Sequence, residues 1–518
     1  MRRGFDARRR DLLRGLGSAL VLLQAGDARA ADATAAARPR ATAAPRATDE
    51  LCYTSATVLG RLLRTKRLSA RELMAAHLRR IERLNPRLKA LVAMLPPEQC
   101  LALADAADAQ LARGETPGPL HGLPTAFEDL QPAVGFPNTR GSPLFRDARS
   151  PADSVLVERL RAAGALGIAM TNVPEFGMGS HTYNAVYGTT LNPWNLAKSA
   201  GGSSGGAAAA LAAGLLPIAD GSDLGGSLRN PASFNNVVAL RPTVGIVPLA
   251  PNPLPFLGFA VAGPMARTVP DLALLMSVMA GADARDPASV PGDPRAYRRP
   301  LERAFDGVRV AWCPDLGDLP LDPAVRAVLD AQRRTFESLG CRVEPACPDL
   351  SGVEDIFVTL RAWRSWLSYR DLLAQHRDAL QPEAIAEIEA GSKLTADDVG
   401  RAMLEHARLL ERVRRFQQDY PFLVCTVSQV PPFDATETWP RSVDGVPMPH
   451  YIEWMRSAWA ITTTWCPAAA VPAGFTPDGL PVGLQIVGRP RDDFGVLQLA
   501  HAFEQATQFG RRRPPLPA

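Results

Sequence analysis

The sequence predicts an α/β layered fold, and three observations lead there. Strand-like and helix-like segments alternate, most plainly as strand 308–313, helix 323–339 and strand 341–344. The 518 residues are 46% apolar and 21% charged, the balance of an ordinary globular chain with a large core. Beyond the N-terminus no apolar run is long enough to span a membrane, so no membrane partner is expected.

The elements follow in chain order. Residues 1–30 read as an export signal: Arg9-Arg10-Asp11-Leu12-Leu13-Arg14 has the twin-arginine form, 15–25 is a short apolar stretch, and Ala28-Arg29-Ala30 offers small residues for cleavage. The expected location is periplasmic. The seven arginines and three aspartates of this segment account for the whole formal charge of +4. The mature chain is therefore formally neutral, and charge gives no support to a nucleic-acid partner. Residues 31–48, rich in Ala, Arg, Thr and Pro, read as a flexible lead-in without a core.

Ser69 with Glu72 forms a capping box that opens a helix over 70–83, expected to stop before Asn85-Pro86. Alanine and leucine fill a second helix, 97–112, ended by Gly114; a third, 154–163, ends at Gly164 and leads into a buried strand over 165–170. Small residues make a helix of 207–213, its N-terminus directly behind a Gly/Ser loop. The free N–H groups and dipole at that end favour negative charge near Ser203 and Ser204. Residues 352–420 are mostly amphipathic helix, with Trp363, Trp366 and Tyr369 near one face. Such a stripe is read as core in preference to a substrate entrance.

All seven cysteines follow the signal, and an odd number cannot all pair within one chain. A chain exported in its folded state folds in a reducing cytoplasm, so buried free thiols are expected, with Cys341 and Cys347 the pair open to later oxidation. No Cys/His group has zinc-like spacing, and neither a metal nor a cofactor is implied.

The chemistry concentrates in two glycine-rich segments. One is Gly201-Gly202-Ser203-Ser204-Gly205-Gly206; the other is Gly221-Ser222-Asp223-Leu224-Gly225-Gly226-Ser227-Leu228-Arg229, whose Ser227 follows Ser203 by 24 residues. Glycines around a serine let the backbone pass close to a substrate and aim its N–H groups at one point. An acyl-transfer site needs that geometry to hold a developing oxyanion. Either run alone would read as a linker. Together, with Asp223 and Arg229 bracketing Ser227, they read as a serine-hydrolase site.

These residues resemble the amidase signature family, whose members hydrolyse carboxamides with a Ser–Ser–Lys triad. The likeness continues through Asn230-Pro231-Ala232-Ser233-Phe234 and Val238-Ala239-Leu240-Arg241-Pro242-Thr243-Val244-Gly245. Upstream it includes Thr171-Asn172-Val173-Pro174-Glu175-Phe176 and Asn192-Pro193-Trp194-Asn195. Near the C-terminus, Val471-Pro472-Ala473-Gly474-Phe475 and the run from Gly479 to Arg489 belong to it. The resemblance extends from Glu50 to Phe509 and is weakest over 300–450. It implies one domain over 49–518, with a large mixed twisted central sheet flanked by helices and substrate-facing helices in the divergent part.

By the same resemblance Ser227 is the nucleophile, and Ser203, held on a cis peptide, relays its proton to a neutral lysine. Leu224, Gly225 and Gly226, with the N–H of Ser227, would form the oxyanion hole; Ser204, Asp223 and Arg229 would brace the loops. One departure stands out. The family's lysine lies in a segment like Gly-Pro-Leu-His-Gly-x-Pro-x-x-x-Lys-Asp, and here that segment runs from Gly118 to Asp129 with Glu128 at the lysine position. The chain's lysines are at 66, 89, 198 and 393, none in this segment, and Lys198 falls at a variable position of the pattern.

Glutamate has a reference pKa of about 4.3 against about 10.4 for lysine, so it is ionised at neutral pH and a far weaker base. It is also one bond shorter, so reaching Ser203 calls for a backbone shift or a bridging water. Its charge opposes the one that develops on the substrate, and slower chemistry on unactivated amides is expected. Two functions remain: an amidase or esterase with a carboxylate base, acting on a small-molecule amide or ester, or a pseudoenzyme that binds an amide-like ligand. A homodimer is left open. A role in an aminoacyl-tRNA amidotransferase is disfavoured by the export signal. Among other residues, His121 is expected in structural hydrogen bonding, His181 around the site in support, Glu175 as a loop anchor, and His376 and His406 in solvated positions.

Overall fold

The computed structural model describes residues 45–516. The segment read as an export signal and residues 31–44 of the lead-in lie outside the described residues. The first described helix, Pro45–Tyr53, begins inside the stretch expected to lack structure up to residue 48.

The expected central sheet is present. Eight strands lie in the order Arg342–Pro345, Arg309–Trp312, Phe422–Thr426, Pro481–Gly488, Ala468–Phe475, Val238–Arg241, Val261–Ala266 and Ile218–Asp223. The first three pair in parallel and the remaining neighbours antiparallel, so the sheet is mixed. Its inner strands are buried along nearly their whole length, with Phe475 at a strand end half-buried, as expected for a sheet covered on both faces. A second sheet of three strands, Leu91–Val92, Leu166–Thr171 and Pro124–Glu128, packs beside Ile218–Asp223 and carries Glu128 at the end of its last strand.

Several local expectations hold. The helix Pro97–Ala112 has the predicted bounds, Ser154 caps Val155–Ala162, and the capping box of Ser69 and Glu72 opens its helix. That helix does not stop before Asn85-Pro86 but runs through both, over Ala70–Leu88. The proline falls in the last turn, and Asn85 supplies the stop itself: its Oδ1 accepts from the N–H groups of Ala90 and Leu91, at 3.1 and 2.9 Å. Lys89 then turns left-handed at φ 49°.

The expectation of free thiols is corrected at one pair, and the partner differs from the one considered. Cys347 bonds to Cys313, while Cys341 stays free and buried. The parallel register explains this. Pro345 lies opposite Trp312, so Cys313 and Cys347 emerge together from the same end of adjacent strands. Cys341 precedes its strand, Arg342–Pro345, at the opposite end.

The helical region 352–420 resolves into Val353–His376, Pro382–Ser392 and Ala396–Asp419. His376 is exposed, as expected, but His406 is buried and its Nε2 donates to Thr463 O at 2.8 Å. It shares the inward face with Ala402, Leu409 and Val413 at helical spacing. The aromatic stripe divides. Trp363 packs on a core cluster, whereas Tyr369 stacks on Phe176, with ring centroids 4.7 Å apart, in the wall of the main cavity.

Candidate active site

The two glycine-rich segments meet. The Ser204 N–H donates to Ser227 O at 3.1 Å, and the peptide bond between Gly202 and Ser203 is cis. Polar side chains clamp the first segment from outside. Ser180 Oγ donates to Gly202 O at 2.7 Å, and Thr182 Oγ1 donates to Gly201 O at 2.8 Å. His181 Nε2 donates to Ala435 O, so its Nδ1 accepts from Ser199 Oγ, which itself receives the Gly201 N–H. Burial pushes this imidazole down to about 4, so it is a neutral strut. The helix Gly205–Ala212 starts directly behind the loop, and close packing requires glycine there. A Cβ on Gly206 would stand 2.3 Å from the Asn172 backbone nitrogen.

Ser203, 1% exposed, and Ser227, 7% exposed, open onto one cavity of about 410 Å³. Leu224 and Gly225 line it as well. Their N–H groups and that of Ser227 make no hydrogen bond to any described residue. Gly226 departs from the expected oxyanion hole. Its N–H donates to Asp223 Oδ1 at 3.0 Å, and its φ of 115° lies in the left-handed half of backbone space. That conformation favours glycine.

Beneath the loop is a buried charge network. Arg229 donates to both oxygens of Asp223, at 3.0 Å each, and to Ala458 O, Gln485 Oε1 and Thr462 Oγ1. Arg241 adds a second cation at 3.2 Å from Asp223. Burial by itself would raise the Asp223 carboxyl, but the two guanidinium groups outweigh it and hold it at about 2. Asp223 and Arg229 are thus bonded to each other beneath the Ser227 turn, and Gln485 ties them to the C-terminal strand Pro481–Gly488.

Glu128 is fully buried and faces the first serine segment, but it meets a different serine from the one expected. Its Oε1 accepts from Ser204 Oγ at 2.6 Å, and no hydrogen bond joins it to Ser203. Ser204 Oγ is also placed near Ser222, at 3.3 Å from both its N–H and its C=O. Burial raises the Glu128 carboxyl, hydrogen bonds from Ser204 and Ser222 draw it back, and the charge of Asp129 adds to the rise.

Sequence reasoning missed Asp220. It lies on Ile218–Asp223, wholly buried, and its Oδ2 accepts the Glu128 N–H at 3.3 Å. An aspartate flanked by Ile218, Ala219 and Gly221 in a buried strand was the available signal. The other predicted residues stand apart from the cavity. His121 Nε2 donates to Ala107 O at 3.1 Å, Glu175 accepts the Gln381 N–H at 2.8 Å, and Lys198 lies on the separate hairpin strand Asn195–Ser199. Among the described residues no group of three or more His, Cys, Asp or Glu is placed to hold a metal ion, and no helix is long and apolar enough to cross a membrane.

The profile of the amidase family matches residues 72–497, which includes both serine segments and the whole central sheet. This chain belongs to the amidase family. Among curated relatives, the acylamidase of Rhodococcus erythropolis is 36% identical over 467 residues, spanning 90% of this chain and 98% of that protein. A glutamyl-tRNA(Gln) amidotransferase component of Ralstonia nicotianae is 35% identical over 493 residues, spanning 87% and 97%. Among solved structures, a bacterial aryl acylamidase of the amidase signature family superimposes with a TM-score of 0.84 at 28% identity, covering 90% of this chain and 99% of that one. The peptide amidase of Stenotrophomonas maltophilia superimposes with a TM-score of 0.74 at 27% identity, covering 89% and 98%. The chain is thus an amidase-family hydrolase acting on amides, built on the amidase signature fold.

Proposed function

We propose that this amidase hydrolyses a carboxamide, or a related ester, through an acyl-enzyme on Ser227, with Ser203 relaying the proton and Glu128 standing in the lysine position as base. The observation that carries this reading is the cavity itself: two buried serines open onto it beside N–H groups of Leu224, Gly225 and Ser227 that no described protein group uses. Ser227 Oγ attacks the acyl carbon as its proton leaves toward Ser203. The three N–H groups donate to the oxyanion, each such donor supplying about 3 kcal/mol of transition-state stabilisation. Ser204, already donating to Glu128, completes the path to the carboxylate. On collapse the proton returns to the leaving nitrogen, and water then frees the acyl group.

An anionic base opposes the oxyanion, which favours substrates with good leaving groups. The cavity wall of Phe176, Tyr369, Met178 and Met455 suits an aryl or compact apolar group, in keeping with the acylamidase relatives. The test is labelling with a fluorophosphonate probe, together with turnover of aryl amides and esters. Labelling that disappears in Ser227→Ala supports the assignment. Labelling that survives it overturns the nucleophile, and a chain with neither label nor turnover is a silent binder.

We also propose that the chain is exported to the periplasm. The twin-arginine pattern at Arg9-Arg10 supports this, as does the Cys313–Cys347 disulfide, a bond suited to an oxidising compartment. That location argues against the tRNA-directed activity named for the amidotransferase relatives. Fractionation of the full chain beside an Arg9→Lys/Arg10→Lys variant tests it; equal distribution of the two overturns the route.

A further inference from the structure

Two buried acids lie beside each other where the resemblance to the family implies a cation. Glu128 and Asp220 are both 0% exposed and stand on adjoining strands of different sheets. The Glu128 N–H reaches Asp220 Oδ2, yet Glu128 Oε2 and Asp220 Oδ1 have no hydrogen-bond partner among the described groups. Among the described residues no ion pair involves either acid.

Apart from the N-terminal dipole of Gly205–Ala212, the surrounding elements supply no compensating charged side chain. The helix Gly205–Ala212 contains only Gly, Ala and Leu, and the strands Leu166–Thr171 and Val261–Ala266 contain no titratable residue. On the helix Ala70–Leu88, His77 is turned to Leu215 O, and Arg80 to Ala213 O and Asp49. Arg229 and Arg241 both pair with Asp223, Arg241 through Nη1 while its Nε and Nη2 make no hydrogen bond to a described group. The remaining neighbour, Asp129, is another acid, held by the Thr139 N–H and hydroxyl. Two ionised carboxylates in such a place would face both desolvation and mutual repulsion, and like-charged pairs of this kind keep one proton.

We propose that Glu128 and Asp220 hold a single proton between them at neutral pH, with Asp220 carrying it and Glu128 left ionised toward Ser204. Asp220 is then a positioning residue: it keeps the pair at one negative charge and Glu128 free to accept. This inference rests on the reading of Glu128 as the base. In the acylation step the Ser227 Oγ–H bond breaks as the Oγ–C bond forms, the relayed proton binds Glu128 Oε1, and the pair becomes neutral. Return of that proton to the leaving nitrogen restores the shared-proton state. Burial raises both carboxyls, and the charge of Glu128 raises Asp220 further, in line with this division.

The test is infrared difference spectroscopy of the mature protein in heavy water at neutral pH, comparing wild type with Asp220→Asn and with Glu128→Gln. The expected result is one protonated-carboxyl band in wild type that is lost in Asp220→Asn. A wild type without that band, or a band that survives in Asp220→Asn and disappears only in Glu128→Gln, overturns the proposal. Should Asp220→Asn fail to fold, alkaline titration of the wild-type band decides: a band absent at neutral pH refutes the shared proton, and one that bleaches as pH rises supports it. The kcat/KM profile supplies the functional arm. Loss of the shared proton gives wild type an alkaline limb, which Asp220→Asn must displace; an unmoved limb overturns the positioning role. The infrared arm needs no turnover, so failure of the hydrolase reading would be seen separately.

Discussion

If Glu128 stands in the lysine position, as proposed above, its replacement with lysine is informative, and the surroundings decide what that lysine can do. The proposed relay needs it neutral. In this site the ammonium would arrive beside Asp220, whose Oδ2 is already 3.3 Å from the backbone nitrogen of residue 128. At a separation of about 5 Å and an effective dielectric of about 20, the attraction is about 3 kcal/mol. That equals about 2.4 pKa units in favour of the cation. Glu128→Lys alone should therefore bury an ion pair and provide little base at neutral pH. Adding Asp220→Asn removes the counter-charge and leaves burial free to drive the lysine toward neutrality. The neutral fraction, and with it kcat/KM on an aryl amide, should be about 200-fold higher in the double variant at neutral pH, following the same shift of about 2.4 units. The gap should close as pH rises past the lysine pKa of the single variant. Steady-state rates of the two variants across pH measure this directly. Equal rates throughout would refute the reasoning, because Asp220 would then exert no field on residue 128.

Three further outcomes follow from buried groups. Arg229→Met strands a wholly buried Asp223 with only Arg241 as cation, and should lower unfolding free energy by about 3–5 kcal/mol, read as a reduced urea midpoint. Because the Asp223 carboxyl is held at about 2, below its ordinary value of about 3.9, its stabilisation is complete above about pH 4 and is lost as pH falls through about 2. Thermal melts should show that acid limb, and Asp223→Asn should flatten it. Cys313→Ser opens a loop with a sequence separation of 34, worth about 4 kcal/mol on the chain-entropy relation, so the melting temperature should fall and become insensitive to reductant.

The parts of the fold that are legible in the sequence are those set by local signals. The capping box of Ser69 and Glu72, the alanine-rich helix Pro97–Ala112 and the glycine-rich turns each depend on residues a few positions apart. The central sheet is legible only through the long family pattern. The misses share a cause, which is that their meaning depends on distant partners. Asp220 acquires its significance by meeting Glu128 across two sheets, 92 residues away in the chain. Cys347 is close to Cys341 in the chain yet pairs with Cys313, because strand register and not sequence distance determines which side chains meet. The charged neighbours of His406 point to solvent, although Ala402, Leu409 and Val413 mark an inward stripe that includes it. Glu128 is singled out by the sequence but its reach is not: only the folded chain shows that its carboxylate meets Ser204.

The layout of the cavity has an evolutionary consequence. Under the proposed mechanism Glu128, Ser203, Ser204, Asp220 and Ser227 all come from one continuous stretch of about a hundred residues, residues 128–227, which also supplies Phe176 and Met178 of the cavity wall, whereas Arg361, Arg364, Ser365, Ser368 and Tyr369 of that wall come from a single helix, Val353–His376. Under that mechanism the proposed reacting groups lie on one piece of sequence, and a large part of the wall that would meet the substrate lies on another. Change in the helix can then retune that part of the wall while the proposed reacting groups keep their positions. By the same logic, exchange of that helix between relatives offers a way to transplant substrate preference without rebuilding the chemistry.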